Sequence, residues 1–414
     1  MADYVKVNGV AAADIVKVDG VAVADIVKVD GATKPAGGFV AATHWAMCLE
    51  DNRISWAAAA DIASESDWAT NLDIPVASGA SGSTDTIDIA YGKDGSGNPI
   101  YLTIGNSSGN NVWVDQNNDI TDASDWSRIN IADSAKRRTI QWGNDVWVAA
   151  GEMGNTRIHR STNGAATFSS VDVSGLTNIV TGTKVTALAS DGEGNWMFGQ
   201  AANLYFSSDD AASWAFLLQP EGTGKTIHDI VYTNNTWVVL YKGTGTQLRI
   251  ITCPASTAAN MDATSDWGTA QLVTTATRID TSGSSTTTTT NLHGTLSTRM
   301  AAAGGRVVIL QSGNANAGTS MGITTAADVS GKTCTLTDIA VEVPLPTGAS
   351  NVPKCIATDG ITWLIGSDGN DDGRNGGDLV RSTNGGDSWT LIVEGINATN
   401  KKINGIAPSV YLPL

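Results

Sequence analysis

Three octapeptides, "STNGAATF" (Ser161 to Phe168), "SSDDAASW" (Ser207 to Trp214) and "STNGGDSW" (Ser382 to Trp389), share the pattern Ser-x-Asp/Asn-x-Gly/Ala-x-Ser/Thr-aromatic. An internal repeat constrains a fold more than composition does, because each copy must be one supersecondary unit that buries its apolar face against the next. Degenerate copies end at Trp68 ("ASESDW"), Trp126 ("TDASDW") and Trp267 ("DATSDW"), and a seventh candidate, "ADVSGKTC", ends at Cys334 without its aromatic residue. The pattern suits a tight turn between two strands. Asp or Asn accepts backbone N–H groups, Gly tolerates positive φ, and the aromatic side chain fills the gap between sheets.

Strand pairs precede these turns. "TIQWGNDVWVAAG" (139–151), "VTALASDGEGNWMFG" (185–199), "IHDIVYTNNTWVVL" (227–240), "MAAAGGRVVIL" (300–310) and "CIATDGITWLIG" (355–366) each set two short apolar runs around a Gly, Asn or Asp turn. "IDIAYGKDGSGNPIYLTIG" (87–105) does so more loosely. The first unit lacks its inner strand and opens with "THWAMCL" (43–49), whereas "INGIAPS" (403–409) matches the inner-strand pattern with no second strand after it. A late strand that completes the first sheet closes a ring and hides sheet edges. The expected fold is therefore all-β: a seven-bladed β-propeller over residues 37–414, about 54 residues per blade, preceded by a short hairpin arm over residues 1–36.

The octapeptides resemble the Asp-box, or BNR repeat, of sialidase-like β-propellers. That resemblance implies a structural role for Ser161, Asn163, Phe168, Ser207, Asp209, Trp214, Ser382, Asn384 and Trp389, and no chemistry of their own. Sialidases of this type gather three arginines, a Tyr nucleophile with its Glu partner and an Asp acid around the central channel. Inner strands here offer Arg137, Arg138 and Arg299, of which the first two are adjacent and should point oppositely on a strand. The family's Phe/Tyr-Arg-Ile-Pro segment is replaced by "GGFVAATHW". No catalytic residue is assigned and no enzymatic activity is expected. Another kind of glycosidase would need two carboxylates at the mouth of the disc, for which Asp88, Asp191 and Asp229 are candidates that no spacing singles out. His44, His159, His228 and His293 show no spacing to a nucleophile. The blades also resemble the photosystem assembly-factor type of Asp-box propeller, a non-enzymatic chaperone exported behind a signal.

One local motif suggests a cation. In "DGNDDG" (368–373), Asp368, Asn370 and Asp372 alternate as at the start of a calcium loop, with Asp378 close by, but Leu379 stands where a bidentate Glu belongs. An acidic turn is the competing reading, and no other cofactor is expected. Cys48, Cys253, Cys334 and Cys355 lack metal or redox spacing and read as reduced core thiols. A net charge of −16 leaves no basic field for nucleic acid. No apolar run is long enough to suggest membrane insertion, and Asp3 and Asp14 interrupt any secretory h-region. "SGASGSTD" (78–85) and "TSGSSTTTTTNLHGT" (281–295) read as solvated spacers fringing one face of the disc.

Residues 5–31, "VKVNGVAAADIVKVDGVAVADIVKVDG", repeat with a period of eleven marked by Asp3, Asp14 and Asp25. Asn-Gly and Asp-Gly are strong two-residue hairpin signals, and a turn at Asp19-Gly20 pairs Val18 with Val21 and Val16 with Val23. A two-stranded hairpin is marginal alone in water. A partner is therefore expected to cover Val5, Val7, Val16, Val18, Val21, Val23, Val27 and Val29. The arm resembles the KVNGVA-type repeats at the N-termini of tailed-bacteriophage virion proteins. This resemblance implies a structural component of the virion, from tail, collar or fibre, present in several copies or as a homo-oligomer. Its arm would dock onto other virion proteins and its propeller would face outward. The alternatives are a host-glycan receptor module using Trp56, Trp113 or Trp142, and a polysaccharide hydrolase.

Overall fold

The structure, a computed structural model, describes residues 41–410 outside the segments 59–61, 70–71, 75–84, 106–111, 116–119, 130, 132–136, 153–155, 244–247, 255–260, 274–276, 280–284, 287–298, 313–321, 346–352, 369–375, 395 and 397–401. Within residues 1–40 it describes only the backbone of six two-residue strands. The chain divides into two compact units, Met1–Val40 and Ala41–Leu414.

In the first unit Lys6–Val7 pairs with Val10–Ala11, Lys17–Val18 with Val21–Ala22 and Lys28–Val29 with Ala32–Thr33, each pair a sheet of its own. Val18 is paired with Val21 and Lys17 with Ala22, the register that a two-residue Asp-Gly connection sets. Val5, Val16, Val23 and Val27 lie outside the described residues.

The second unit is a seven-bladed β-propeller, as the repeats imply. Each blade is an antiparallel meander running outward from a central channel, and blade one is completed by Ile403–Pro408, which pairs with His44–Leu49. The register runs from Ile403 opposite Leu49 to Pro408 opposite Trp45. Ser409 Oγ extends this seam by accepting the Thr43 and His44 N–H groups, each at 2.9 Å. Lys402 pairs with Glu50 at its other end, 2.9 Å apart.

Second strands such as Val146–Gly151 and Trp196–Gln200 are buried along their whole length because each blade is covered on both faces by its neighbours. That double burial selects near-continuous apolar runs over alternation. Outer strands such as Ser169–Asp172 are polar and largely exposed. The seam between blades seven and one is packed by Trp45, Met47, Leu49, Ile403 and Ile406 of blade one against Leu364 and Leu379 of blade seven. Full burial of each such side chain contributes on the order of 2 kcal/mol.

The three octapeptides form one and the same turn between third and fourth strands. Ser161, Ser207 and Ser382 donate from Oγ to Asn163, Asp209 and Asn384 at 2.8, 2.7 and 2.8 Å, and accept the N–H of Ala165, Ala211 and Gly386 at 3.0 Å in every copy. The Asn or Asp carboxamide or carboxylate oxygen takes the N–H of Thr167, Ser213 or Ser388. Two successive residues of each turn have positive φ, including the non-glycines Ala165, Asp210 and Ala211. Gly164 has a stricter requirement. A Cβ there would lie 1.7 Å from Gly95 N, where this turn meets the first hairpin of blade two. Trp389 Nε1 reaches across to Thr324 Oγ1 of blade six at 2.9 Å, and Trp214 packs among blade-three residues Val146 and Val148. The aromatic residue thus closes the gap to the preceding blade.

The other four candidates differ. Trp68, Trp126 and Trp267 each follow a one-turn 3-10 helix, Glu65–Asp67, Ala123–Asp125 and Thr264–Asp266, instead of the octapeptide turn. Without the leading Ser-x-Asp/Asn, the acid reaches back: Asp67 Oδ2 takes the Ala63 and Ser64 N–H groups and Asp266 Oδ2 that of Ala263. At "ADVSGKTC" Ser330 pairs with Thr333, so Gly322–Ser330 and Thr333–Glu342 are joined by a two-residue hairpin with no room for a box. The spacer at 281–295 also departs from expectation. Its residues Ser285–Thr286, with Thr277–Ile279 just before it, add two strands to the outer edge of blade six, giving that sheet six strands.

Ser207→Ala leaves the buried Ala211 N–H without its acceptor, a loss of about 1–3 kcal/mol. Its urea midpoint should fall below wild type, and Gly164→Ala should fall further. Ser208→Ala, exposed in the same turn, should not move it.

Candidate functional site

Inner strands carry a bulge near their start in six blades, where pairing slips between Thr86 and Asp88, Arg137 and Thr139, Val185 and Ala187, Ile227 and Asp229, Pro353 and Cys355, and Ile403 and Gly405. A bulge inserts one residue that the partner strand does not oppose and re-aims the side chains around it. The residue after each bulge, with Arg299 of blade six, lines the central channel: Asp88, Thr139, Ala187, Asp229, Arg299, Cys355 and Gly405 border a cavity of about 310 Å³.

Asp88 and Asp229 have equivalent jobs in this ring. Ile140 N–H of blade three donates to Asp88 Oδ2 at 3.0 Å, and Met300 N–H of blade six donates to Asp229 Oδ2 at 2.7 Å. The other oxygen of each takes the N–H of the following residue, Ile89 or Ile230, at 3.0 Å. Each carboxylate therefore ties its inner strand to that of the next blade. Burial pushes Asp88 up to about 6 against the opposing pull of the Ile140 N–H and the Arg299 charge, and burial likewise raises Asp229 against Arg299.

Beside the channel lies a second cavity of about 160 Å³, bordered by Arg138, Lys184, Thr186, Thr226, His228 and Arg299 among others. Arg138, Thr186 and His228 are the extra residues of their bulges. Arg138 Nη2 pairs with Glu152 Oε1 at 2.8 Å, and Arg299 Nη1 donates to the Thr186 carbonyl at 3.2 Å. His228 is 7% exposed and its Nε2 has no hydrogen-bond partner. Burial, then the Arg299 and Lys242 charges, lowers it to about 4, so it is neutral near pH 7. Burial, then the Arg138 charge, also lowers Lys184. Adjacent loops share this face: in an up-and-down meander the second-to-third and blade-to-blade connections lie opposite the first hairpins and octapeptide turns.

Arg138 and Arg299 stand out in the sequence as inner-strand arginines, but their meeting with Lys184 and His228 does not. Strict alternation concealed this, since a bulge is visible only once strand partners are aligned. Arg137 is buried away from this cavity. Asp191 stands apart from Asp88 and Asp229: its Oδ1 caps the Glu193 and Asn195 N–H groups in a hairpin. The proposed glycan platform loses two members, because Trp113 and Trp142 are 1% and 8% exposed. Of the thirteen tryptophans only Trp56 is not buried. Double-sided burial of propeller strands is the reason.

Of the calcium candidates, Asn370 and Asp372 lie outside the described residues. Asp368 pairs with Lys354 at 3.2 Å and Asp378 is buried beside Ser367, which accepts its N–H. Among the described residues no group of three His, Cys, Asp or Glu side chains could hold a metal ion. All four cysteines are free thiols, and burial pushes Cys334 and Cys355 to about 12. No described helix is long and apolar enough to cross a membrane.

No protein-family model and no curated protein matches this sequence. Solved structures do resemble it. YCF48 bound to a D1 peptide aligns over 79% of this chain and 90% of its own, with 10% identity and a TM-score of 0.43. YCF48 from Cyanidioschyzon merolae gives 77%, 86%, 14% and 0.46, and a mitotic checkpoint complex chain 78%, 82%, 11% and 0.48. The likeness is one of architecture. At such identities the channel chemistry has to be read from this chain's own side chains.

Asp88 gives a pH signature. It ionises near 3.8 when unfolded and near 6 when folded, so as pH rises the unfolded chain loses this proton first. The folded state loses stability between about pH 4 and 6 and carries the full penalty, on the order of 3 kcal/mol, above that range. Urea midpoints of wild type and Asp88→Asn should therefore diverge in the variant's favour across that window and run parallel above about pH 7. A difference constant with pH would remove Asp88 as the titrating group.

Proposed function

We propose that this chain is a non-enzymatic structural component of a tailed-phage virion, from tail, collar or fibre, in which the arm docks onto other virion proteins and the propeller is displayed as a rigid binding platform. What carries the reading is the arm: three hairpins on an eleven-residue period, each a two-stranded sheet of its own. Such a sheet is too small to hold itself in water and leaves strand edges able to accept another chain. The likeness of these repeats to virion N-termini supplies the kind of partner. In the same reading the octapeptide turns are Asp-boxes, serving as blade clasps.

The channel carboxylates favour a non-catalytic role. Asp88 and Asp229 spend their oxygens on backbone N–H groups of their own and the adjoining inner strands. A glycosidase acid or nucleophile must instead be open to substrate. A glycan-binding module is the lesser alternative, since Trp56 is its one remaining partly exposed tryptophan.

Removing residues 1–40 tests the division of labour. The truncated chain should keep the thermal midpoint of the propeller and sediment as a monomer, yet be missing from purified particles by mass spectrometry. Incorporation at the full-length level would refute the arm's role.

A further inference from the structure

The geometry points to the cavity between the inner strands of blades three to six as a binding site for a tetrahedral oxyanion, a phosphate or sulfate group either free or carried as an ester. This rests on the described side chains alone and is independent of the virion reading.

In a protein of net charge −16, this cavity is bordered by Arg138, Lys184 and Arg299 and by no carboxylate among the described residues. Glu152, the acid nearest Arg138, is already held by its Nη2. Two further atoms need a partner: Arg138 Nε and His228 Nε2 are both buried and unbonded. His228 lines the cavity and is more than nine-tenths buried. A buried polar atom without a partner is costly unless something fills the space before it. A neutral imidazole can donate from Nε2 in one tautomer, so all these groups can act as donors to an anion.

The arrangement of donors selects the ligand's shape. A carboxylate is planar and is best met by one free guanidinium fork. Arg138 offers no whole fork, because it has committed Nη2 to Glu152, and Arg299, with Nη1 on the Thr186 carbonyl, keeps a fork only along its Nε–Nη2 edge. Their remaining N–H groups, the Lys184 ammonium and His228 come from different blades around the space. Donors converging from several directions suit a tetrahedral group. Asp88 and Asp229 offset part of the Arg299 charge from the channel side, and Glu152 offsets part of the Arg138 and Lys184 charge. The three cations exceed what the single nearby Glu152 neutralises, and Lys184, which has no ion pair of its own among the described residues, weighs most in the affinity.

Isothermal titration of the full chain with inorganic phosphate at low ionic strength should show one saturable site. Lys184→Met, which removes a rim charge outside the blade-to-blade ties of Asp88 and Asp229, should weaken binding about tenfold or more without changing the thermal midpoint. Arg138→Met should do the same and serves as the second variant. Displacement of phosphate by sn-glycerol 3-phosphate assigns the site to esters, and its failure to displace assigns it to the free ion. The inference is overturned by no saturable phosphate binding up to about 20 mM, by both variants binding like wild type, or by acetate displacing phosphate with equal potency.

Discussion

The pairing of Ile403–Pro408 with His44–Leu49 is the constraint on which the propeller depends. Apart from the parallel pairing of Thr277–Ile279 with Thr333–Glu342 in blade six, the other strand pairs inside the blades join neighbours in sequence, whereas this one brings together opposite ends of the unit and must offset the entropy of closing a very long loop. It does so with backbone hydrogen bonds and with a dense apolar seam of Trp45, Met47, Leu364, Leu379 and Ile403. Asp359 Oδ2 adds a further tie by accepting the Ala42 N–H at 3.0 Å. Once the seam forms, each blade has a neighbour on both faces, and the continuous burial of the second strands follows.

The channel shows how the same scaffold handles charge. Buried carboxylates are costly unless hydrogen-bonded, and Asp88 and Asp229 are satisfied by backbone N–H groups of their own inner strand and of the next blade's. Arg299 sits between these acids and the basic cavity, so it belongs to both environments. Cohesion of the inner ring and the positive character of the mouth are thus parts of one electrostatic arrangement.

Blade number, ring closure and the three octapeptide turns were legible because each is written as a local pattern that recurs. The seam could be read from "INGIAPS" alone, an inner strand lacking its companion. Trp68, Trp126 and Trp267 were harder, since the same terminal Asp-Trp can end a 3-10 turn as well as a box. The added strands of blade six, Thr-Arg-Ile and Ser-Thr, are too short to show apolar alternation, so nothing in their sequence marks them as paired. The basic cavity was the least legible part. Its residues come from five blades, and the meeting of Arg138, Thr186 and His228 depends on bulges fixed by strand register.

The seam also decides how the disc bears mechanical load. Residues 43 and 409 lie at the same end of an antiparallel pair, joined through the Ser409 hydroxyl. Tension applied between them would peel the pair open one hydrogen bond at a time, beginning where Ser409 meets Thr43 and His44. Tension entering at residue 43 and resisted elsewhere in the disc instead pulls along His44–Leu49, which is bonded on one side to Ile403–Pro408 and on the other to Arg53–Ala58. Those bonds are then sheared together, so the propeller is far stronger when tugged by its leading segment than when its two ends are drawn apart.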